Sequence, residues 1–401
     1  MKKVLFITWD GPQTSYMEGL FLPIFREVMQ QDSSLKFHVL QFTWADAKKI
    51  RKIAGAAQEL SVSYHAISIH RKPIATIGSL VSLWRGSAQI ADYVKTHEID
   101  IVMPRSTFPA FMVNRLKKTA RMPQIIFDAD GLAIDERVDF AGLKRGSLQY
   151  KWLKSIERKM LVQADAVITR SQKAIEVHLK TIGEHYRNKF SVVLNGRNVR
   201  QFAPDQAIRQ AARKELGISD ELLWVYAGSL GPQYCWEEML QVFGLSQKER
   251  PSKFLVLTGN RQFAEDNIPD RLKEHIMVKS VDFEHIPFYL NAGDVAFALR
   301  RPTYSMQGVA PIKLGEYLLM GLPTIASSGI GDTDGILQSF PECFIFDHKM
   351  EYEPRYVAIK AWMEKVPTMS KSLIREKAKP FFSMEKAGES YRQAISKLRK
   401  V

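Results

Sequence analysis

Residues 295–326 constrain the chain more than any other stretch, because they spell out one complete strand-loop-helix-strand unit. Val295-Ala296-Phe297-Ala298-Leu299 is an unbroken apolar run of strand length, the pattern of a strand buried on both faces of a parallel sheet. A loop of turn-forming residues follows, and Pro311 is well placed for a first helical turn. Ile312, Leu314, Tyr317, Leu318 and Met320 then recur at helical spacing until Gly321 and Pro323 stop the helix. Thr324-Ile325-Ala326 reads as the next buried strand. The loop of such a unit lies at the carboxyl end of a parallel strand, where open α/β sheets bind ligands.

Lys313 and Glu316 are three residues apart, so they share a face near the amino end of this helix. Free backbone N–H groups and a partial positive charge already favour an anion there. Lys313 adds a full charge, and Arg300-Arg301 enters the same loop from the other side. Together these groups can hold a diphosphate, while Glu316 can accept hydrogen bonds from sugar hydroxyls. A solvated ion pair on an ordinary helix explains Lys313 and Glu316 taken alone. The ordered series of apolar strand, Arg-Arg, loop, Pro-x-Lys-x-x-Glu, Gly-x-Pro and strand is harder to reach by chance.

The 401 residues suit two domains of about 200 each, both large enough for a proper core. No apolar run approaches the roughly 20 residues of a spanning helix. The opening Met1–Asp10 has too short an apolar part for a signal peptide and reads as a first buried strand. Cys235 and Cys343 offer neither a disulfide framework nor a metal-binding spacing, which points to a reducing cytoplasm. Of the net +14, residues 1–200 carry +13, with 31 Lys and Arg against 18 Asp and Glu. No zinc-finger spacing, RNP-like aromatic motif or basic helix with heptads accompanies that charge, so nucleic acid is not the expected partner. An anionic membrane face or a lipid diphosphate fits better.

Taken in order, Val4–Ile7 is a strand ending at Asp10-Gly11-Pro12-Gln13-Thr14, followed by a helix with Leu20, Phe21, Ile24, Phe25 and Val28 inward. Further strands are read at 37–40, 62–67, 101–104 and 124–128 with helices between them, a repeated βα pattern and a parallel sheet. Residues 71–90 are amphipathic, with Ile74, Ile77, Leu80, Val81 and Trp84 beside Arg71, Lys72 and Arg85. They suit a core-facing helix or one lying on a membrane. Asp128-Ala129-Asp130-Gly131 closes a strand with carboxylates, either a turn or cap or a polar site. Asp135-Glu136-Arg137 is expected to be a mobile loop, and 142–163 one long basic helix before the strand at 166–169. Asn195-Gly196 marks the domain boundary, and 223–231 is a strand running into the small-residue loop Gly228-Ser229-Leu230-Gly231.

Ala310-Pro311-Ile312-Lys313-Leu314-Gly315-Glu316-Tyr317-Leu318, followed by Gly321-Leu322-Pro323, resembles the nucleotide-sugar signature of retaining GT-B glycosyltransferases of the family 4 type. Ala164–Ser171 and the Asn195-Gly196, Phe202, Pro204 series resemble the family's later strand and hinge. The likeness spans nearly the whole chain and is sharpest over 223–330. It implies an α/β fold of two Rossmann-like doubly wound domains facing a cleft: an acceptor domain over 1–196, a donor domain over 197–381, and a final helix, about 382–401, crossing back. It also implies sugar transfer from a nucleotide diphosphate sugar to a glycan or lipid-linked acceptor with retention, without cofactor or metal, in the cytoplasm or peripherally on the inner face of a membrane, in surface polysaccharide or glycoconjugate synthesis. Carried over by position, the donor is expected at Gly228, Ser229, Leu230, Asn260, Arg301, Gly308, Pro311, Ile312, Lys313 and Glu316. The acceptor side falls to Gly11, Thr14, Asp130, Gly131 and Asp135, with Asp130, Lys313 and Glu316 in the chemistry. Two departures matter: Gly308 stands where the family has its first glutamate, and no cation follows the 228–231 loop until Lys248. They keep two alternatives open, a nucleotide-sugar epimerase and a catalytically silent subunit.

Overall fold

The computed structural model describes residues 1–72, 74–116 and 122–398. The chain divides into two compact units, Met1–Asn195 with Ala387–Val401, and Gly196–Lys386. Each is built on its own parallel sheet.

The first unit holds β1 (Lys2–Asp10), β2 (Leu35–Thr43), β3 (Ser63–Ser68), β4 (Ile101–Pro104), β5 (Gln124–Asp130), β6 (Ala166–Thr169) and β7 (Phe190–Val192). Their order is β3-β2-β1-β4-β5-β6-β7, and every pairing is parallel. Val4 of β1 stands between Phe37 and Ile101, which explains why its apolar run has no polar alternation: both faces are covered. One face packs Phe6 against Phe21 and Phe25, and the other carries Leu5, Ile7, Leu40 and Val102. Burying side chains of this size contributes about 1.5–3 kcal/mol each.

The second unit holds β8 (Leu222–Ala227), β9 (Ser252–Leu257), β10 (Ile276–Lys279), β11 (Val295–Ala298), β12 (Thr324–Ser327) and β13 (Phe344–Phe346). Their order is β10-β9-β8-β11-β12-β13, again all parallel. Trp224, Phe254 and Phe297 stack on one face, with the Trp224 indole donating 2.9 Å to Ser246. In each sheet the chain leaves one strand, winds outward, and returns on the opposite side, so the strand order reverses between β1 and β4 and between β8 and β11. Ligands of open α/β sheets sit at such points.

Three local expectations are corrected. The basic helix begins at Leu148, not Gly142, because Gly142 and Gly146 take φ of +72° and +81° and Ser147 caps the Tyr150 N–H at 3.2 Å. Asp135–Arg137 is not a mobile loop but part of a helix, Ala133–Phe140, and Asp135 is buried. The helix expected over 71–90 runs Ala75–His97; its Ile77, Leu80, Val81 and Trp84 point outward, while Leu83 and Ile90 face the core. The closing helix, Met384–Ser396, carries the chain from the second unit into the first, with Gly388 packed on Glu27 and Gln31. Residues 399–401 of the expected final helix lie outside the described residues. Among the described residues no helix is long and apolar enough to cross a membrane.

Candidate functional site

In the second unit, the β8/β11 reversal brings together Gly228 after β8, Arg300 after β11, and the amino end of the Ile312–Leu319 helix. Lys313 is where they converge. Its ammonium donates to the Tyr226 hydroxyl and lies 4.2 and 4.0 Å from the ring centroids of Tyr226 and Tyr234. Tyr226 in turn donates to the Ser229 carbonyl. Gly228 has φ +140°, and a Cβ there would stand 2.2 Å from Lys313 Cε, so only glycine lets the lysine cross this loop. Arg300 stacks 4.8 Å over Tyr234 and reaches Gln233.

In this pocket Lys313 and Arg300 contact tyrosines and a glutamine rather than a carboxylate. Burial pushes the Lys313 pKa well below the usual lysine range; the Arg300 charge lowers it further, and Glu316 opposes both. Glu316 does not touch Lys313: its Oε1 accepts 2.7 Å from Arg197 Nε, both side chains being buried. Arg197 is fixed by backbone bonds to Phe382 and Met384. Glu316 is thus ion-paired across 119 residues of sequence, and the solvated Lys313–Glu316 pair of an ordinary helix is not formed.

Of the two arginines that follow β11, Arg300 shares the Tyr234 ring with Lys313, whereas the side chain of Arg301 is exposed and its backbone N–H donates 3.0 Å to the Gln233 carbonyl. Pro311 caps the helix and Ile312 opens it. Gly308, buried at the end of the short Tyr304–Gly308 helix, offers no carboxylate. Leu230 is buried, and the Asn260 N–H donates 3.1 Å to Thr258 at the start of a short helix beyond β9. Cys235, Glu238 and His348 bring ligand atoms within 4.8 Å of one another, a grouping that could take a cation and that chain spacing does not reveal.

The corresponding reversal in the first unit is built differently. Thr14 donates 3.1 Å to the Gly11 carbonyl after β1, and Gly11 lies against Trp44. Asp128 is fully buried and accepts 2.8 Å from Arg170 Nη2. Asp130, with φ +60°, accepts 2.6 Å from Arg105 Nη2 and lies 3.9 Å from Arg170. Its N–H donates to Asp128. Two arginines thus balance two aspartates. Arg105 Nε, Arg170 Nη1 and the Tyr391 hydroxyl are buried there without a hydrogen-bond partner. Gly131 follows Asp130 directly. Asp135 lies apart, accepting 2.8 Å from Lys154 and 3.3 Å from Arg145. Arg105 and Arg170 were not singled out from the sequence, and Arg300 only together with Arg301. Each is the first residue or second residue beyond an apolar strand end, a signal that could have found them.

No protein-family model matches the sequence, and no curated protein matches it. Solved structures do. Anabaena HepE, crystallised with UDP-glucose, superposes with a TM-score of 0.72 at 14% identity over 99% of this chain and all of that one. Sucrose-phosphate synthase from Thermosynechococcus elongatus gives 0.68 at 16% over 99% and 100%. UDP-GlcNAc 2-epimerase from Neisseria meningitidis gives 0.61 at 10% over 98% and 100%. With the two sheet orders above, these likenesses define the fold as GT-B: two Rossmann-like α/β domains.

Proposed function

We propose that the protein is a glycosyltransferase that takes a sugar from a nucleotide diphosphate sugar and transfers it, with retention, to a glycan or lipid-linked acceptor. The observation that carries this reading is the pair Lys313 and Arg300 at the β8/β11 reversal. A desolvated ammonium beside a second cation is stabilised by a bound polyanion, and the Gly228 loop adds backbone N–H groups at close range. That the superposed HepE was crystallised with UDP-glucose agrees with a nucleotide-sugar donor. Donor binding is assigned to the domain of residues 197–381 and acceptor binding to that of 1–196. Arg197 presents Glu316 in a fixed orientation to the ribose.

In the transfer, the bond from the anomeric carbon to the diphosphate oxygen breaks. A bond to the acceptor oxygen forms on the same face, and the acceptor proton passes to the leaving phosphate. Lys313 and Arg300 hold the charge that develops on that diphosphate, so the reading calls for no metal. Asp130, held by Arg105, orients the acceptor hydroxyl. The chemistry belongs in the cytoplasm, where Cys235 and Cys343 stay as the buried free thiols seen here.

A panel of UDP, GDP, ADP and CMP with their sugars, read by thermal shift, tests the donor half, since a ligand of the native state raises the melting temperature. A shift with one diphosphate and its sugar, lost in Lys313→Met, is the expected result. Gly308 favours one second reading, a subunit that binds a nucleotide sugar without turning it over. Binding with neither donor hydrolysis nor transfer would establish that reading instead. Donor conversion without any acceptor would point to an epimerase.

A further inference from the structure

The Ala75–His97 helix is apolar on two sides. Its inner side is fully used: Leu83 and Ile90 are buried, Gly78 packs on the His70 backbone, and Gly86 packs on Met112. On its outer side Ile77, Leu80, Val81 and Trp84 recur at i, i+3, i+4 and i+7 and remain 50, 44, 40 and 59% exposed, with Ile74 at 61% just before them. Large apolar side chains scattered singly on a surface need no explanation, but a contiguous stripe does.

The stripe does not end with the helix. Arg115 lies 3.7 Å over the Trp84 ring and 5.5 Å from Phe111, and Phe111 meets Trp152 edge-on at 5.6 Å. Trp152 and Leu148, on the Leu148–Gln163 helix, are 38 and 87% exposed. Aromatic rings bridged by a cation thus carry the apolar surface across three helices. Beside it, Arg71, Lys72 and Arg85 line an open groove of about 490 Å³ floored by Trp44, over which Arg71 stacks at 4.7 Å.

The charge around this surface is predominantly positive. Among the described residues of segments 60–91, 101–127 and 140–156, which contribute to it, nine are Lys or Arg and none is Asp or Glu; Asp92, further along the Ala75–His97 helix, is the acidic residue nearest in sequence to its outer stripe. Arg105, Arg145 and Lys154 are engaged by aspartates, and Arg71, Lys72, Arg85 and Arg115 have no acidic residue in their own segments. An apolar stripe alone could cover many partners. An apolar stripe with aromatic residues, edged on one side only by cations, matches the boundary of an anionic bilayer, where acyl chains meet phosphate headgroups.

We propose that this face of the first unit is a membrane-docking surface: the outer stripe of the Ala75–His97 helix, with Trp152 and Leu148, inserts to the depth of the acyl boundary of an anionic bilayer, and Arg71, Lys72, Arg85 and Arg115 bind the lipid phosphates. The inference goes beyond glycosyl transfer and does not require it. A transferase so docked would meet a lipid-linked acceptor without releasing it into water.

Flotation of the full chain with vesicles, no donor present, tests it. Wild type should float with phosphatidylcholine containing about 30% phosphatidylglycerol and not with phosphatidylcholine alone, and salt should weaken the binding. Leu80→Gln with Trp84→Gln should cut partitioning at least about tenfold. Arg71→Ala with Lys72→Ala should cut it to a similar extent at low salt, about fivefold per charge. All four residues are exposed, so thermal melts should match wild type, and donor-induced thermal shifts should be unchanged, which separates this test from that of the donor site. Equal binding to both vesicle types, binding to neither, or variants that float like wild type would overturn the proposal. So would light scattering that shows a dimer dissociated by Leu80→Gln/Trp84→Gln, since the stripe would then be an interface between copies.

Discussion

The two sheets reverse their strand order in the same way, yet the two reversals carry opposite electrostatics. At β1/β4, Asp128 and Asp130 face Arg105 and Arg170, and the charges cancel within the protein. At β8/β11, Lys313 and Arg300 face tyrosines and a glycine loop, and the carboxylate of Glu316 is taken by Arg197. A self-neutralised site suits a neutral ligand held by hydrogen bonds. A site with stored positive charge is complete only when an anion arrives. The topology decides where a site forms in both units, and a few side chains decide what it takes.

The largest effect should come from breaking the balance in the first unit. Asp128→Ala leaves the buried Arg170 without its hydrogen-bonded carboxylate and with only Asp130 at 3.9 Å, and should cost about 3–5 kcal/mol, read by denaturant unfolding. Asp128→Asn, which keeps the shape and part of the hydrogen bonding, should cost less. In the second unit the sign should invert. Lys313→Met removes a desolvated charge, and should raise the melting temperature while abolishing the thermal shift by nucleotide diphosphate. The linkage gives this gain a pH dependence. The folded pKa of Lys313 lies below its unfolded value of about 10.4, so the cost of the charge is full below the folded pKa and fades as pH rises toward the unfolded one. The stabilisation by Lys313→Met should fade over the same window. If Lys313→Met melts earlier than wild type at neutral pH, the two reversals do not differ as described.

Glu316 sharpens the comparison from the other side. Glu316→Ala strands Arg197 in the interior, at about 3–5 kcal/mol, so lost nucleotide binding in that variant would report unfolding as much as recognition. Glu316→Gln retains an acceptor for Arg197 and should melt closer to wild type. A weaker nucleotide-induced shift in that folded variant would place Glu316 at the ribose; an unchanged shift would make it purely a support for Arg197.

The strands and their ends were legible because parallel strands covered on both faces cannot alternate, and each apolar run breaks at a glycine, proline or charge. Val295–Ala298 and Ile101–Pro104 show this directly. The partners of the site residues were not legible. Arg105 meets Asp130 across 25 residues, Arg170 meets Asp128 across 42, and Arg197 meets Glu316 across 119, and only the lateral order of strands brings them together. Helix periodicity likewise gave a stripe at Ile77–Trp84 but not its direction: an inner stripe of Gly78, Leu83, Gly86 and Ile90 satisfies the core instead. The start of the basic helix was misread because the left-handed glycines at 142 and 146 interrupt a run whose composition is otherwise helical.

The smallest effect expected is also the most selective. Arg300 and Arg301 are adjacent and equally charged, and a site organised by charge density alone would use both. The geometry divides them: Arg300 stacks on Tyr234 beside Lys313, while the Arg301 side chain is exposed. A hydrogen bond to a charged group is worth about 1.5–3 kcal/mol, so Arg300→Met should weaken binding of the nucleotide diphosphate roughly ten- to a hundredfold by calorimetry. Arg301→Met, left with long-range attraction screened by salt, should weaken it no more than about threefold, and less at higher ionic strength. Arg300→Met should also relieve the repulsion that lowers the Lys313 pKa, so its residual binding should persist to higher pH than that of wild type. Equal losses from the two substitutions would mean that the diphosphate reads the charge of the loop as a whole and that the placement of Arg300 over Tyr234 does not select it.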